Sequence, residues 1–263
     1  MVIKVLMGVG SDRFGVECEN VTKQLGGRRV IRDVSFQVPA GQVTALIGPS
    51  GTGKTTMMRL ILGITQPDSG RIVVDGRDIT KMSMDEINGL RSEVGVLVEG
   101  AGSLFSSMTV YDNVAFPLRQ IGRLPEPEVA RVANAHLDEV GLGNDGHKMP
   151  EQLSVGMRVR ASYARATVLQ PKMLVFDSPD LGMDLVRLAL LFELMAEANR
   201  KYSCTTLVLT HDIDAVFRIA DYVVLLRAGE VIAHGSRESI EHSSDPFTQQ
   251  FINGLMAGPM KAV

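Results

Sequence analysis

The chain has 263 residues, 45% of them hydrophobic and 22% charged, with 27 basic against 30 acidic side chains and a formal net charge of −3. That length suits one large α/β domain or two small ones, and that composition suits a packed globule, so disorder is excluded as a description of the whole. The near-balanced charge, the 5% aromatic content and the absence of tryptophan argue against a dedicated nucleic-acid binder, which carries a basic excess and stacking platforms.

The opening segment from Met1 to Gly10 is mildly apolar but too short and too weakly basic for a signal peptide, and Asp12 and Arg13 follow at once. Nowhere does an apolar run approach the roughly 18–20 residues that cross a bilayer. The two cysteines, Cys18 and Cys204, belong to no C-x-x-C pattern, which points to a reducing compartment and away from a disulfide framework or a zinc site. The expectation is a cytoplasmic protein.

From Val16 to Val21 the pattern is strand-like, Gly26-Gly27 is a turn, and Val34 to Val38 alternates with period 2. After a tight turn at Pro39-Ala40-Gly41, Val43 to Ile47 is nearly continuous apolar sequence, the mark of a strand buried on both faces. A glycine-rich loop follows, then a helix from Thr55 to Leu62 that stops at Gly63, then a short strand and turn over Arg71 to Gly76. The middle of the chain, about residues 82–165, changes character. It carries helical stretches such as Glu128 to Val140, split by Gly and Pro. From Met173 to Asp177 the buried-strand signature returns, a helix from Val186 to Tyr202 separates it from the strand Thr205 to Thr210, and Tyr222 to Leu226 is a further strand. Strands alternating with helices imply an α/β core with a mostly parallel sheet covered on both faces, interrupted by a helical insertion.

The chemistry concentrates at Gly48-Pro49-Ser50-Gly51-Thr52-Gly53-Lys54-Thr55, a full G-x-x-x-x-G-K-[ST] motif that follows a buried strand and opens a helix. Its glycines let successive backbone N–H groups face one phosphate group, the helix N-terminus adds its dipole, Lys54 brings a point charge to the β/γ-phosphates, and the Thr55 hydroxyl can ligate Mg²⁺. Asp177 ends an apolar strand, where an Mg²⁺-binding carboxylate would sit beside a phosphate loop, although a buried strand also ends in Asp simply to start a turn. Leu153-Ser154-Val155-Gly156-Met157 precedes a helix carrying Arg158, Arg160 and Arg165, and is either an anion site or a plain N-cap. His211 follows a strand within Thr210-His211-Asp212, either in reach of a γ-phosphate or structural.

In this order the motifs resemble the nucleotide-binding subunit of an ABC transporter, a P-loop NTPase with a RecA-like mixed or parallel sheet and an inserted α-helical subdomain. By that resemblance residues 15–240 are the ATP-binding domain, with the helical subdomain at about 89–165, and residues 241–263 are a C-terminal extension. Gly48 to Thr56 bind the phosphates, Ser154 and Gly156 belong to the signature motif, Thr55 and Asp177 hold Mg²⁺, Gly182-Met183-Asp184 is the D-loop, and His211 is the switch histidine. Asp177 lies 23 residues after Ser154 and 34 before His211, as that family has them.

Within the family, Ser106 to Arg119 and the tail from Asp245 to Gly254 with Gly258-Pro259 look like the ATPases of Mce/Mla-type lipid transporters. The resemblance implies ATP and Mg²⁺ as cofactors, and a head-to-tail pair with a second ATP-binding subunit. It also implies an ABC permease docked on the Q-loop and helical-subdomain surface, Mce-domain proteins as indirect partners, and a peripheral place on the inner face of the cell membrane, with no nucleic acid partner.

Four positions depart from the family pattern. Ser178 stands where a Glu polarises the attacking water, Glu99 occupies the Q-loop glutamine position, Val155 replaces a signature glycine, and Leu25 sits where an aromatic stacks on adenine. The departures leave three readings: drift in a subunit that still hydrolyses ATP, the degenerate half of a mixed pair, or a subunit in which ATP binding alone remains as a regulatory or scaffold signal. Glu99 or Asp180 is a candidate substitute for the missing base.

Overall fold

The structure, a computed structural model, describes residues 15–98, 104–179 and 185–259. They fall into two units, one formed by residues 15–87 with 205–259 and one by residues 88–204.

In the first unit, Val16–Leu25 (β1) and Arg28–Val38 (β2) pair antiparallel, with Val16 opposite Val38 and Leu25 opposite Arg28. Both strands run further than their apolar alternation predicts. Their outer halves, Thr22 to Leu25 and Arg28 to Arg29, carry polar or exposed side chains that period-2 reasoning passes over, and the two halves hold each other through the ladder. Val43–Ile47 (β3) is buried at every position, and Lys54–Ile61 (α1) follows it with Met57, Leu60 and Ile61 facing the core. Ser69–Val74 (β4) pairs antiparallel with β1, and Arg77–Asp78 (β5) pairs with β4.

Later in the chain, Thr205–Leu209 (β8) and Tyr222–Arg227 (β9) both pair in parallel with β3, one on each side. Glu230–Ser236 (β10) then turns back antiparallel onto β9. The flanking helices are short: Ile213–Phe217 (α7), Arg237–Glu241 (α8) and Pro246–Ile252 (α9). Central parallel strands are wholly buried because both faces are covered, whereas the antiparallel β1 and β2 alternate buried and exposed side chains.

The second unit is mainly helical. Met84–Arg91 (α2) leads into it, and Val94–Val98 (β6) pairs in parallel with Met173–Asp177 (β7), Val98 opposite Asp177. Val110–Ile121 (α3) begins at Thr109, whose hydroxyl accepts from the Asp112 amide, and ends at Gly122 in the left-handed region. Pro117 inside it hides the helix from a sequence reading, since proline removes one helical hydrogen bond. Glu126–Glu139 (α4) starts on Pro125 with Glu126 and Glu128 in its first turn, two residues earlier than the apolar spacing predicts. Val155–Thr167 (α5) packs on α3, α4 and β6. Its approach to β6 is so close that a Cβ on Gly95 would meet the Ala166 carbonyl oxygen at 2.2 Å. Leu185–Tyr202 (α6) completes the unit. Among the described residues no helix is long and apolar enough to cross a membrane.

Candidate functional site

The glycine-rich loop leaves the end of β3 and turns into α1. Gly48 has φ 148°, and a Cβ there would lie 2.2 Å from the Leu226 carbonyl oxygen, so strand β9 allows only glycine at this point. Gly53, with φ 105°, is the N-cap of α1 and brings no side chain to cap it. A Cβ on Gly53 would meet Ile31 Cδ1 at 2.7 Å and the Val30 carbonyl oxygen at 3.0 Å, which places β2 directly against the loop. The Lys54 ammonium curls under the loop and donates to the carbonyls of Gly48 at 2.7 Å and Pro49 at 3.0 Å, and only 8% of the residue is exposed. Thr52 ties the loop further, its hydroxyl donating to the Pro49 carbonyl at 2.9 Å. The result is a concave backbone with a buried cation at its floor and the positive end of a helix at its rim, a fit for a phosphate chain. Ser50 and Gly51 form its outer edge, and Thr55 and Thr56 open α1.

The parallel register Leu46↔Leu209 sends the residues after β3 and β8 out of the same sheet edge. Gly48 and His211, each two residues beyond that pair, therefore leave the unit on one side. His211 is exposed, while its neighbours are fixed: Thr210 is fully buried, its hydroxyl accepts from the Asp212 amide at 3.0 Å, and Asp212 caps α7 by accepting from the Ala215 amide at 2.9 Å.

The remaining candidates belong to the second unit. Asp177 ends β7 and is only 2% exposed, and its Oδ1 accepts a hydrogen bond from the Ser178 hydroxyl at 3.3 Å. Ser178 takes a left-handed conformation, φ 49°, which for a side chain with a Cβ costs about 1–2 kcal/mol and is characteristic of functional loops. Ser154 caps α5 by accepting from the Met157 amide at 3.3 Å, and Val155 and Gly156 form the first turn. Arg158 donates to the Leu153 carbonyl at 2.7 Å, which fixes the approach to that cap. Glu99, Asp180 and Gly182-Met183-Asp184 lie outside the described residues.

Two clusters escape a sequence reading. Asn113 of α3 is fully buried, and its amide nitrogen donates to the carbonyls of Phe105 (3.0 Å), Met108 (3.2 Å) and Thr109 (2.9 Å) while its oxygen accepts from the Phe105 amide (2.7 Å). A polar side chain within the apolar stripe Val110, Val114, Ala115, Leu118 is the signal that marks it. The Phe105 ring so positioned packs edge-to-face on Phe116 at 5.0 Å, and the Arg165 guanidinium lies 5.1 Å over it. Burial holds Arg165 below the ordinary arginine pKa. The second cluster is Asp68, which accepts from Lys23 Nζ at 2.7 Å and from the Gln24 amide at 2.6 Å, tying β1 near its tip to the start of β4. These contacts hold the Asp68 carboxyl below its usual range, the Lys23 hydrogen bond contributing most.

Residues 31–180, more than half of the chain, match the family described as ABC transporter. The chain belongs to the ABC transporter family. This ABC protein is 38% identical over 245 residues to MlaF of Escherichia coli K12, an intermembrane phospholipid transport system ATP-binding protein, covering 93% of the chain and 91% of MlaF. It is 39% identical over 245 residues to the probable ribonucleotide transport ATP-binding protein Mkl of Mycobacterium leprae, covering 93% of the chain and 70% of Mkl.

Among solved structures, cbiO1 of Clostridium perfringens, part of the ABC transporter complex cbiONQ, superimposes with a TM-score of 0.80 at 28% identity, covering 90% of this ABC chain and 94% of cbiO1. The ATP-binding cassette MJ0796, in a dimeric post-hydrolysis state bound to ADP and Pi, gives 0.77 at 26% identity, with 84% and 98% covered. The P-loop NTPase fold expected from the order of the motifs is the fold found, and the ABC chain is an ATP-binding subunit.

Proposed function

We propose that this ABC subunit energises a Mce/Mla-type lipid transport complex through ATP-driven closure of a dimer. The identity to MlaF along nearly the whole of both chains carries this reading. Residues 15–240 are then the ATP-binding domain, about 89–165 its helical subdomain, and 241–263 the C-terminal extension. The permease docks on the Q-loop and helical-subdomain surface, which includes Phe105, a second ATP-binding subunit completes the pair, and Mce-domain proteins join through the permease. The assembly holds the subunit peripherally on the inner face of the cell membrane.

In this reading the amides of Gly48 to Gly53, the Lys54 ammonium and the first turn of α1 at Thr55 and Thr56 bind the triphosphate. Lys54 exchanges loop carbonyls for phosphate oxygens. Mg²⁺, when bound, neutralises charge between the β- and γ-phosphates. By the family resemblance the Thr55 hydroxyl and the Asp177 carboxylate would hold it. Ser154 and Gly156 offer their helix start to the γ-phosphate of a partner's nucleotide, and His211 orients the same phosphate from its own chain.

A second reading is favoured by one observation. At Ser178 a hydroxyl, itself donating to Asp177, occupies the place of a base. A serine there polarises water poorly, so turnover falls by about 10²–10⁴ relative to a carboxylate. The subunit is then a slow ATPase or the degenerate half of a heterodimer, with Glu99 or Asp180 as the candidate substitute base.

Reconstitution with a Mce/Mla-type permease and Mce-domain proteins tests the first reading. ATP-dependent movement of a fluorescent phospholipid, abolished by Lys54→Ala, is the expected result. A subunit that binds ATP but neither joins the permease nor supports movement overturns it.

A further inference from the structure

Three half-buried arginines lie along α5, and two of them are satisfied: Arg158 donates to the Leu153 carbonyl and Arg160 to the Val140 carbonyl. Arg165 is not. Its Nη1 is closed to water without a hydrogen-bond partner, and the side chain makes no ion pair among the described residues. Its one neighbour of note is the Phe105 ring, 5.1 Å from the guanidinium carbon. Withdrawing a guanidinium from water costs more than a single ring face offsets.

Phe105 itself is 43% exposed, yet it is not loose. Asn113 holds both its amide and its carbonyl, and the half-buried Phe116 packs edge-to-face on its ring at 5.0 Å. The surface thus presents a fixed apolar step with an unsatisfied cation against it. Aromatic rings and arginine are the side chains that anchor protein interfaces, and here the anchor stands without its counterpart.

We propose that Arg165 and Phe105 form a socket for one carboxylate of the permease, an Asp or Glu on its docking element, with a neighbouring apolar side chain covering the exposed ring. The inference rests on the reading of this surface as the permease dock. A carboxylate is the planar two-oxygen acceptor that a guanidinium fork takes bidentately. The apolar neighbour excludes water from the pair and so strengthens it. An anionic lipid headgroup is another source of negative charge, but a membrane surface is met by several exposed basic side chains, not by one half-buried arginine beside a ring. The unpaired cation is then a strain that the free subunit carries and that docking relieves.

A double-mutant cycle between the full chain and a Mce/Mla-type permease in nanodiscs tests this, with affinity read by biolayer interferometry. Arg165→Met keeps length and packing without the charge, and should weaken docking about 30-fold or more, the low end for truncating one partner of a buried charge pair. Arg165→Lys keeps the charge without the fork and should fall between the two. Each acidic residue on the cytoplasmic face of the permease is changed in turn to its amide. One of these changes should weaken docking of the unaltered chain and have no further effect on Arg165→Met. In the isolated chain, Arg165→Met should leave the melting temperature unchanged or raised, because it removes an unpaired cation. Docking of Arg165→Met within about three-fold of the unaltered chain overturns the proposal. So does additivity with every permease carboxylate, or a melting temperature lowered by more than about 5 °C, which makes Arg165 a structural residue. If Arg165→Met docks normally but no longer sediments with vesicles of anionic phospholipid, the cation serves a lipid headgroup and the proposal falls. An unaltered chain that binds no such permease overturns the docking reading itself, so the two failures are distinguishable.

Discussion

Asn113→Ala removes one side chain that serves four backbone groups: the Phe105 amide and the carbonyls of Phe105, Met108 and Thr109. Each hydrogen bond is worth about 1 kcal/mol net, and a buried group left without its partner costs about 1–3 kcal/mol. Because Asn113 is fully buried, water does not replace it in place, and the loss is about 3 kcal/mol. In thermal unfolding followed by circular dichroism this lowers the transition by roughly 6 °C or more. Asn113→Leu separates packing from hydrogen bonding, since leucine fills the volume but satisfies nothing, and it should lose nearly as much as alanine. The Phe105 ring, no longer tethered, should also lose its edge-to-face contact with Phe116. A shift below about 2 °C for alanine, or full recovery with leucine, refutes the claim that this side chain holds residues 105–109 in place.

Gly48→Ala forces a Cβ to 2.2 Å from the Leu226 carbonyl at a φ of 148°, and should abolish binding of a fluorescent ATP analogue while destabilising the fold by more than about 1 kcal/mol. Ser178→Glu restores a carboxylate beside Asp177 and should raise ATP turnover by about 10²–10⁴, measured as phosphate release, and no gain shows that another position limits hydrolysis. Asp78 is held far below the usual carboxylate range, first by the Thr80 hydroxyl and then by Lys81 and Arg71. A lowered folded-state pKa contributes stability that is complete above the ordinary value of 3.8 and is lost as pH falls through the lower one. Resistance to urea should therefore weaken below about pH 4, and Asp78→Asn should flatten that slope while lowering stability at neutral pH.

What the sequence makes legible follows the range of the forces involved. The phosphate loop is readable because its requirements are local: glycines at fixed spacing, one lysine, and a buried strand before it. Strands β3, β7 and β8 are readable because burial on both faces leaves nearly uninterrupted apolar runs. Strand β10 is not, since none of its residues is fully buried and its Ala233-His234-Gly235 segment has no β propensity to announce it. Helix α3 hides behind Pro117. At the site, the grip of Asp68 on Lys23 spans 45 residues, and the contact of Gly53 with Ile31 depends on a strand laid across the loop. No period within one segment encodes either. The order of the motifs, by contrast, identifies the family from residues alone.

Lys54 gives the cradle a further property. Its charge is already solvated by the loop's own carbonyls at 2.7 and 3.0 Å, much as an ion is held by a chelator. A nucleotide arriving at the loop therefore replaces existing ligands rather than meeting a naked cation, and only the difference between the two coordination shells appears as affinity. When the nucleotide leaves, the carbonyls take the ammonium back and no buried charge is stranded at the transition. On the proposed reading, such a self-sealing electrode moderates the net affinity of the cradle for its nucleotide.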